Sequence, residues 1–339
     1  MRLYRFPKAN GPDDLTLDEA PTPQPQRGQV LLRMRAWSLN YRDLMVATGR
    51  YGGGGTRPGL VPLSDGAGEV VAVGAEVRRA KPGDRVCPTF MQGWPGGEVI
   101  AEARQRALGG GIDGVLAEHV LVDQEDLVHV PPHLTFEEAA TLPCAAVTAW
   151  NALFGVRRLQ PGETVLVLGT GGVSVFALQF AHLAGARVIA TSSSAEKLAR
   201  VRALGASDGI NYRDTPEWQD AVRELTDGRG ADYVVEVGGA GTLQRSVNAA
   251  RIGGQVALIG VLTGGQIDPA PIMRRNVTLR GIFVGSREMF EAMNRAIAQH
   301  QMRPVIDRVF PFDKARDAYR HLQGAGHVGK VVISADGAP

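Results

Sequence analysis

TVLVLGTGGVS, residues Thr164 to Ser174, runs from an apolar segment into Gly169-Thr170-Gly171-Gly172 and on into the amphipathic VSVFALQFAHLAGA. A valine- and leucine-rich run of this length reads as a buried parallel strand, and the segment after it as a helix. Glycines between strand and helix let a backbone come close to a pyrophosphate, which then rests on unpaired N–H groups at the positive end of the helix. The full fingerprint ends in glycine, and here Ser174 stands in that place. A plain strand-to-helix turn would look similar, so the decision rests on the chain downstream.

Downstream of the turn lies a series of βα units. RVIATS (Arg187–Ser192) reads as the next strand, AEKLARVRALGA as the next helix, and strand and helix alternate through GINY, PEWQDAVRELT, ADYVVEV, GTLQRSVNAAR, QVALIGV and VTLRGIFV. Strands separated by helices of about a dozen residues require parallel pairing with right-handed crossovers, a doubly wound α/β sheet with ligands at the strands' carboxyl ends. Upstream the style differs. From Met1 to about Phe136, segments such as QVLLRMRAWSL, GEVVAVG and VLAEHVLV have periods near two and are divided by Pro and Gly, which predicts a β-rich, antiparallel or barrel-like domain. Thr135-x-x-Glu138 opens a helical stretch to Phe154 with a capping box and marks the way into the second domain. The tail VFPFDKARDAYRHLQGAGHVGKVVIS resembles the first half and is expected to return to it.

Composition narrows the partners. A chain of 339 residues with 44% apolar residues holds two ordinary domains, and a net charge of +2 without a basic stripe points away from nucleic acid and from a membrane surface. The N-terminal MRLYRFPKANGPDD has no signal-peptide core, and no run approaches a membrane span. Two cysteines, Cys87 and Cys144, build no disulfide framework, which suits a cytoplasmic setting and small-molecule partners.

NYRDLMVATGRY (Asn40–Tyr51), LSDGAGEVVAVG (Leu63–Gly74), KPGDRV (Lys81–Val86), AATLPCAAVTAW, the glycine turn, EVGG (Glu236–Gly239) and GKVVI (Gly329–Ile333) occur in the order found in the medium-chain dehydrogenase/reductases. The chain resembles that superfamily over nearly its whole length, and within it the zinc-free quinone oxidoreductases and alcohol dehydrogenase-like proteins. The resemblance implies a GroES-like catalytic domain over residues 1–136 and 284–339, a Rossmann dinucleotide-binding domain over 137–283, an active site in the cleft and a homodimer. The places that hold catalytic zinc in relatives read Asn40, Ser64 and Cys144, and no histidine precedes His119. One thiolate falls short of the three protein ligands that catalytic zinc needs, so no metal is expected. Cys144 then reads as a small buried hydrophobe or a thiol near the cofactor, and Asp65 as a residue ordering its loop.

The cofactor reading favours NADPH over NADH. Where NAD enzymes place a ribose-binding acid, about 20 residues past the glycine turn, this chain has Thr191-Ser192-Ser193-Ser194, with Lys197 and Arg200 nearby to meet a 2′-phosphate. Ser193-x-x-Glu196 is also a capping box, which leaves an ordinary solvated helix start as the alternative. By resemblance, Tyr212 lies against the adenosine end or is a buried strand-end residue. Gly260, Val261, Phe283, Val284 and Gly285 hold the nicotinamide carboxamide, and Lys330 is either near the pyrophosphate or a surface lysine. With Gly169, Thr170, Gly171, Gly172, Val173, Ser192, Ser193 and Lys197 they make up the expected cofactor site.

Without a Lewis acid to hold an alkoxide, hydride transfer to a quinone or an α,β-unsaturated carbonyl is the easier chemistry, because hydrogen-bond donors can stabilise the oxygen that gains charge. Tyr51 follows the pattern in which enoyl reductases place a proton donor, or else forms a lid. Asn40 would orient the acceptor oxygen, and Arg42 would bind an oxygen or pair with Asp43. An alcohol dehydrogenase, and a nucleotide-binding sensor or structural protein with little catalysis, remain open as readings. Residues 90–114 have no readable fold.

Overall fold

Thr164–Leu168 is buried at all five positions, as a strand flanked by helix-covered neighbours must be. It lies inside a six-stranded sheet whose order across is Asp208–Asn211, Arg187–Ser192, Thr164–Leu168, Ala231–Glu236, Ala250–Leu258 and Thr278–Gly281, every pair parallel. That is the doubly wound order, with the chain reversing its direction of travel on either side of Thr164–Leu168. Leu166, Ile189, Val234, Val247 and Val256 belong to its apolar core.

The computed structural model describes residues 1–52 and 54–336. The chain divides into two compact units, Thr148–Gly285 carrying this sheet, and Met1–Val147 together with the chain from Ser286 onward. The divisions expected after residues 136 and 283 therefore move to Val147 and Gly285. The helix Phe136–Ala140 packs on the strands Gln29–Leu39 and Asp65–Val73, which ties it to the first unit. Its capping box is present: the Thr135 hydroxyl accepts from Glu138 N at 3.2 Å and the Glu138 carboxylate from Thr135 N at 2.8 Å. The helix foreseen to Phe154 is not continuous. Pro143 has no N–H to give to the preceding turn, and Leu142–Ala146 forms a π turn before Val147–Phe154 resumes.

The first unit is the β-rich one. Its seven-stranded sheet runs Ile306–Pro311, Lys330–Ser334, Gln29–Leu39, Asp65–Val73, Arg85–Pro88 and Leu127–His129, with His119–Asp123 paired to the beginning of Gln29–Leu39. Both C-terminal strands thus lie in the same sheet as the N-terminal ones, Val331 opposite Leu39 and Ser38 opposite Asp65. Trp37, fully buried, donates from its indole to Val115 O at 2.5 Å and packs on Phe312 at 4.9 Å between ring centroids. Phe310, Tyr319 and Ile333 join it in one core drawn from both ends of the chain.

Candidate active site

Three neighbouring strands of the first unit end or begin together, and each brings a polar residue. Gln29–Leu39 ends at Asn40, Asp65–Val73 begins at Asp65 and Lys330–Ser334 begins at Lys330. Lys330 is only 3% exposed. Its ammonium donates to Leu39 O at 2.7 Å and to Asn40 Oδ1 at 2.5 Å, and stands 3.8 Å from Asp65 Oδ2. This corrects the reading of Lys330 as a surface lysine: it is buried and donates inside the β-rich unit. Asp65, fully buried, accepts from Ser64 Oγ at 2.7 Å and from Cys144 N at 3.3 Å. Burial raises its carboxyl above the usual range and the Lys330 charge opposes that rise. Leu63, just before, is held at φ 68°, an uncommon conformation for a branched side chain. Val115 N donates to its carbonyl at 2.9 Å.

Asn40 also starts the helix Tyr41–Ala47, where Asp43 Oδ2 accepts from Asn40 N at 2.7 Å. Arg42 follows, 8% exposed, with Nη1 donating to Leu108 O at 2.9 Å and meeting Asp43 Oδ1 at 3.3 Å. Its guanidinium lies 4.3 Å from the Tyr51 ring centroid and 5.0 Å from that of Phe90, a cation between two aromatic faces. Arg42 Nε, Arg42 Nη2 and Asn40 Nδ2 are buried and make no close hydrogen bond, while Arg42 interacts with the Tyr51 hydroxyl and the Asn40 side chain with the Asp65 carboxylate. Because an ammonium can only donate, Lys330 fixes Asn40 Oδ1 toward itself and leaves the amide's NH2 end presented elsewhere. The Tyr51 phenol is pushed up by burial, with Arg42 opposing, and so keeps its proton at neutral pH. Asp43 is pushed up to about 6, again by burial first, with Arg42 opposing.

Phe90, Leu108 and Gly110 come from the stretch that sequence reading left without a fold. A Cβ on Gly110 would stand 2.2 Å from Arg42 Nη2 and 2.9 Å from Tyr51 Cε1. The Tyr51 ring is therefore packed on this segment and on Arg42; Gly53, in the glycine run after it, lies outside the described residues.

In the second unit, the predicted cofactor residues line the carboxyl edge of the parallel sheet. Gly169 takes φ +71° and Gly171 caps the helix Gly172–Leu183, so Gly172 and Val173 present the first amides of that helix. A Cβ added at Gly169 or Gly171 meets nothing within 4 Å, the clearance that a pyrophosphate on this turn needs. Thr170 is buried beside them. Ser174 is buried and its hydroxyl donates to Leu168 O at 2.6 Å, closing the strand-to-helix turn where the fingerprint has glycine.

One strand over, Ser192 is buried and its Oγ accepts from Ser194 N at 3.4 Å, so that hydroxyl is taken up in its own turn. The helix Ala195–Ala203 is capped by Ser194, whose side chain accepts from Lys197 N, rather than by Ser193. The Ser193-x-x-Glu196 capping box is therefore not the helix start, and Ser193 stands half-exposed at the edge with Lys197. Tyr212 follows the strand opposite Ser192 and is 42% exposed, so the buried strand-end reading falls away.

Gly260 has no alternative: a Cβ there would lie 1.7 Å from Val237 O. Val261 beside it is 68% exposed and Phe283 is 40% exposed. Val284 is buried at φ 56°, a strained state for a β-branched residue. Asn151 Nδ2 holds its carbonyl at 2.6 Å, and Gly285 follows, buried. Glu236, fully buried, accepts from Gly238 N at 2.6 Å, Gly239 N at 3.0 Å and Thr242 Oγ1 at 2.7 Å, and from the Ser246 hydroxyl.

Residues 26–132 match the alcohol dehydrogenase GroES-like domain family and residues 172–299 the zinc-binding dehydrogenase family. A zinc-type alcohol dehydrogenase-like protein of Schizosaccharomyces pombe is 44% identical over 99% of both chains. The chain belongs to the medium-chain dehydrogenase/reductase superfamily. Among other medium-chain relatives, a 2-methylene-furan-3-one reductase of Solanum lycopersicum is 31% identical over 98% of this chain and 79% of its own. A crystal structure of an NAD-dependent alcohol dehydrogenase superposes with a TM-score of 0.89 at 33% identity, over 99% of this chain and all of that one. This medium-chain dehydrogenase/reductase is accordingly an NAD(P)H-dependent oxidoreductase.

Some relatives carry zinc in their names, and the donors at the corresponding positions answer whether this chain could hold it. In this medium-chain enzyme Asn40 Oδ1 already takes the Lys330 ammonium and Ser64 Oγ is bound to Asp65, which leaves Cys144 as the one good zinc donor of the three positions, short of the three protein ligands a catalytic site needs. A fixed positive charge stands against the cluster's carboxylate. These residues do not fit a zinc ion. Among the described residues no three of His, Cys, Asp and Glu converge to hold a metal. Sequence reading missed Asn151 and the Phe90–Gly110 wall, because each acts through a contact far away in sequence, and it quoted Glu236 only as part of a motif. Only EVGG carried a local signal.

Proposed function

We propose that this medium-chain enzyme is a zinc-independent, NADPH-dependent reductase of quinones or α,β-unsaturated carbonyls. One observation carries the reading: the side-chain donors of Asn40 and Arg42, with no close hydrogen bond at Asn40 Nδ2, Arg42 Nε or Arg42 Nη2, share one buried cluster with the protonated Tyr51 hydroxyl. Buried donors that are not held in close hydrogen bonds suit an oxygen that gains negative charge during reaction, where preorganised hydrogen bonds act most strongly. Asn40, locked by Lys330, orients the acceptor oxygen. Arg42, a fixed cation between Tyr51 and Phe90, stabilises the enolate or hydroquinone charge, and Tyr51 delivers the proton.

A reduced nicotinamide, when bound, supplies the hydride. The amides of Gly171, Gly172 and Val173 would hold its pyrophosphate, Ser193 and Lys197 the 2′-phosphate, Tyr212 the adenosine, and the backbone of Gly260, Val261 and Phe283–Gly285 the carboxamide. The tomato relative's name, an enone reductase, supports the acceptor class. Two cysteines outside any disulfide support a reducing, cytoplasmic setting. No described helix is long and apolar enough to cross a membrane. We also expect a homodimer with no nucleic-acid partner, which sedimentation will check.

The test is NADPH oxidation by chelator-treated protein against a quinone, an α,β-unsaturated ketone and a simple aldehyde, with NADH in parallel. Turnover confined to quinone or enone, unchanged by added zinc and faster with NADPH, supports the proposal. Turnover confined to the aldehyde and restored only by zinc makes this an alcohol dehydrogenase. Tight NADPH binding with no turnover on any acceptor would mark a nucleotide sensor.

A further inference from the structure

At the amino edge of the parallel sheet, opposite the cofactor turns, successive strand entries each bring an arginine. Arg229 precedes the strand Ala231–Glu236, Arg251 lies at the start of Ala250–Leu258, and Arg275 precedes Thr278–Gly281. Arg223, from the helix Trp218–Leu225, completes the ring around a cavity of about 350 Å³ also lined by Gly228 and Ile252.

Two of these guanidinium groups share one carboxylate. Arg229 grips Asp232 through both oxygens at 2.8 Å, and Arg251 Nε adds a bond at 2.6 Å. Glu163, whose charge also reaches Arg229, is itself bonded to Arg157. Arg223 and Arg275 have no such acid among the described residues. Arg223 Nη2 donates to Gly228 O at 2.9 Å and Arg275 Nη2 to Ala250 O at 2.6 Å, while Arg223 Nη1 and Arg275 Nε are buried without a partner. Burial and then the neighbouring Arg223 charge lower the Arg275 pKa, the signature of two cations facing each other with no anion between. The wall is closely built: Gly228 and Gly230 take φ +80° and +91°, and a Cβ at Gly230 would meet Ala249 O at 2.7 Å.

We propose that this cavity is an anion site, separate from the cofactor turns, that takes a multivalent phosphate held by Arg223 and Arg275. Guanidinium groups with unspent donors recognise phosphate oxygens through charge-assisted, often paired hydrogen bonds, and a divalent anion relieves the Arg223–Arg275 repulsion as a chloride ion cannot. Binding stabilises the dinucleotide unit by tying the helix Trp218–Leu225 to the entry of the strand Thr278–Gly281.

The experiment is a set of thermal melts of the full chain, apo and with saturating NADPH, titrated with inorganic phosphate, pyrophosphate or chloride at matched ionic strength. The expected result is a saturable rise of about 3 °C with either phosphate, present with and without NADPH and absent with chloride. Pyrophosphate acting where phosphate does not assigns the site to a diphosphate. R223Q and R275Q are each expected to raise the half-saturating concentration about tenfold, the loss of one charged hydrogen bond, while turnover without phosphate is unchanged. R223Q, whose bonded carbonyl lies on an exposed glycine, remains as the test where R275Q does not fold. A response equal for chloride, lost when NADPH is bound, or retained in R223Q overturns the proposal.

Discussion

Tyr51, Lys330 and Asp43 show how much of this site rests on individual charges. Replacing Tyr51 with Phe removes one hydroxyl from a ring otherwise held by Arg42 and Gly110. Turnover of an accepted enone should fall on the order of 100-fold with NADPH affinity unchanged, the size expected of a general acid. Equal turnover in stopped-flow assays would remove the donor role. Lys330→Met leaves Asp65 buried without its cation and Asn40 without its anchor, so urea denaturation should show a loss of about 3 kcal/mol, the range for breaking a buried pair. A loss below about 1 kcal/mol would mean that Asp65 simply takes up a proton. Asp43, ordinarily near 3.8, is pushed up to about 6 because burial outweighs Arg42. The folded protein then binds the proton more tightly than the unfolded chain. This group's contribution is fully present below about pH 4 and is lost as pH rises through 6. Stability of the wild type relative to Asp43→Asn should therefore decline by roughly 2 kcal/mol between those limits, and a flat difference curve would show that Asp43 titrates normally.

At the scale of elements, the strand–turn–helix at Thr164–Leu183 was legible because its requirements are local. An apolar run buries itself, a glycine takes φ +71°, and a helix begins where its amides are needed. Gly171 separates binding from folding. Its φ is −74° and a Cβ there meets nothing, so Gly171→Ala should melt within about 1 kcal/mol of wild type while NADPH affinity drops at least about tenfold, measured by fluorescence titration. Unchanged affinity would move the pyrophosphate elsewhere. Other elements were less legible. The stretch from Thr135 reads as one helix, yet Pro143 opens a π turn that aims Cys144 N at Asp65. The capping serine of Ala195–Ala203 is Ser194 and not Ser193, a choice between adjacent serines that no pattern encodes.

Across the whole molecule, the chain's end completes the sheet that its beginning starts. A chain ended at residue 299 lacks the strands Ile306–Pro311 and Lys330–Ser334, which leaves the Ala36–Leu39 edge unpaired and removes Lys330. Such a protein should show neither turnover nor the near-ultraviolet circular dichroism of a packed Trp37; a native signal would mean that the return is dispensable. By itself the sequence determined the two folding styles, the glycine turn, the family and the absence of a ready set of zinc ligands, since each depends on residue type and near-neighbour spacing. Tertiary structure alone decided the rest. Lys330 meets Asn40 across 290 residues of chain because strand register brings Val331 opposite Leu39. Phe90, Leu108 and Gly110 enclose Arg42 because a segment without periodicity takes its shape only from what it packs against. Burial then sets the charges of Asp43, Tyr51 and Asp65, and burial belongs to the folded chain as a whole.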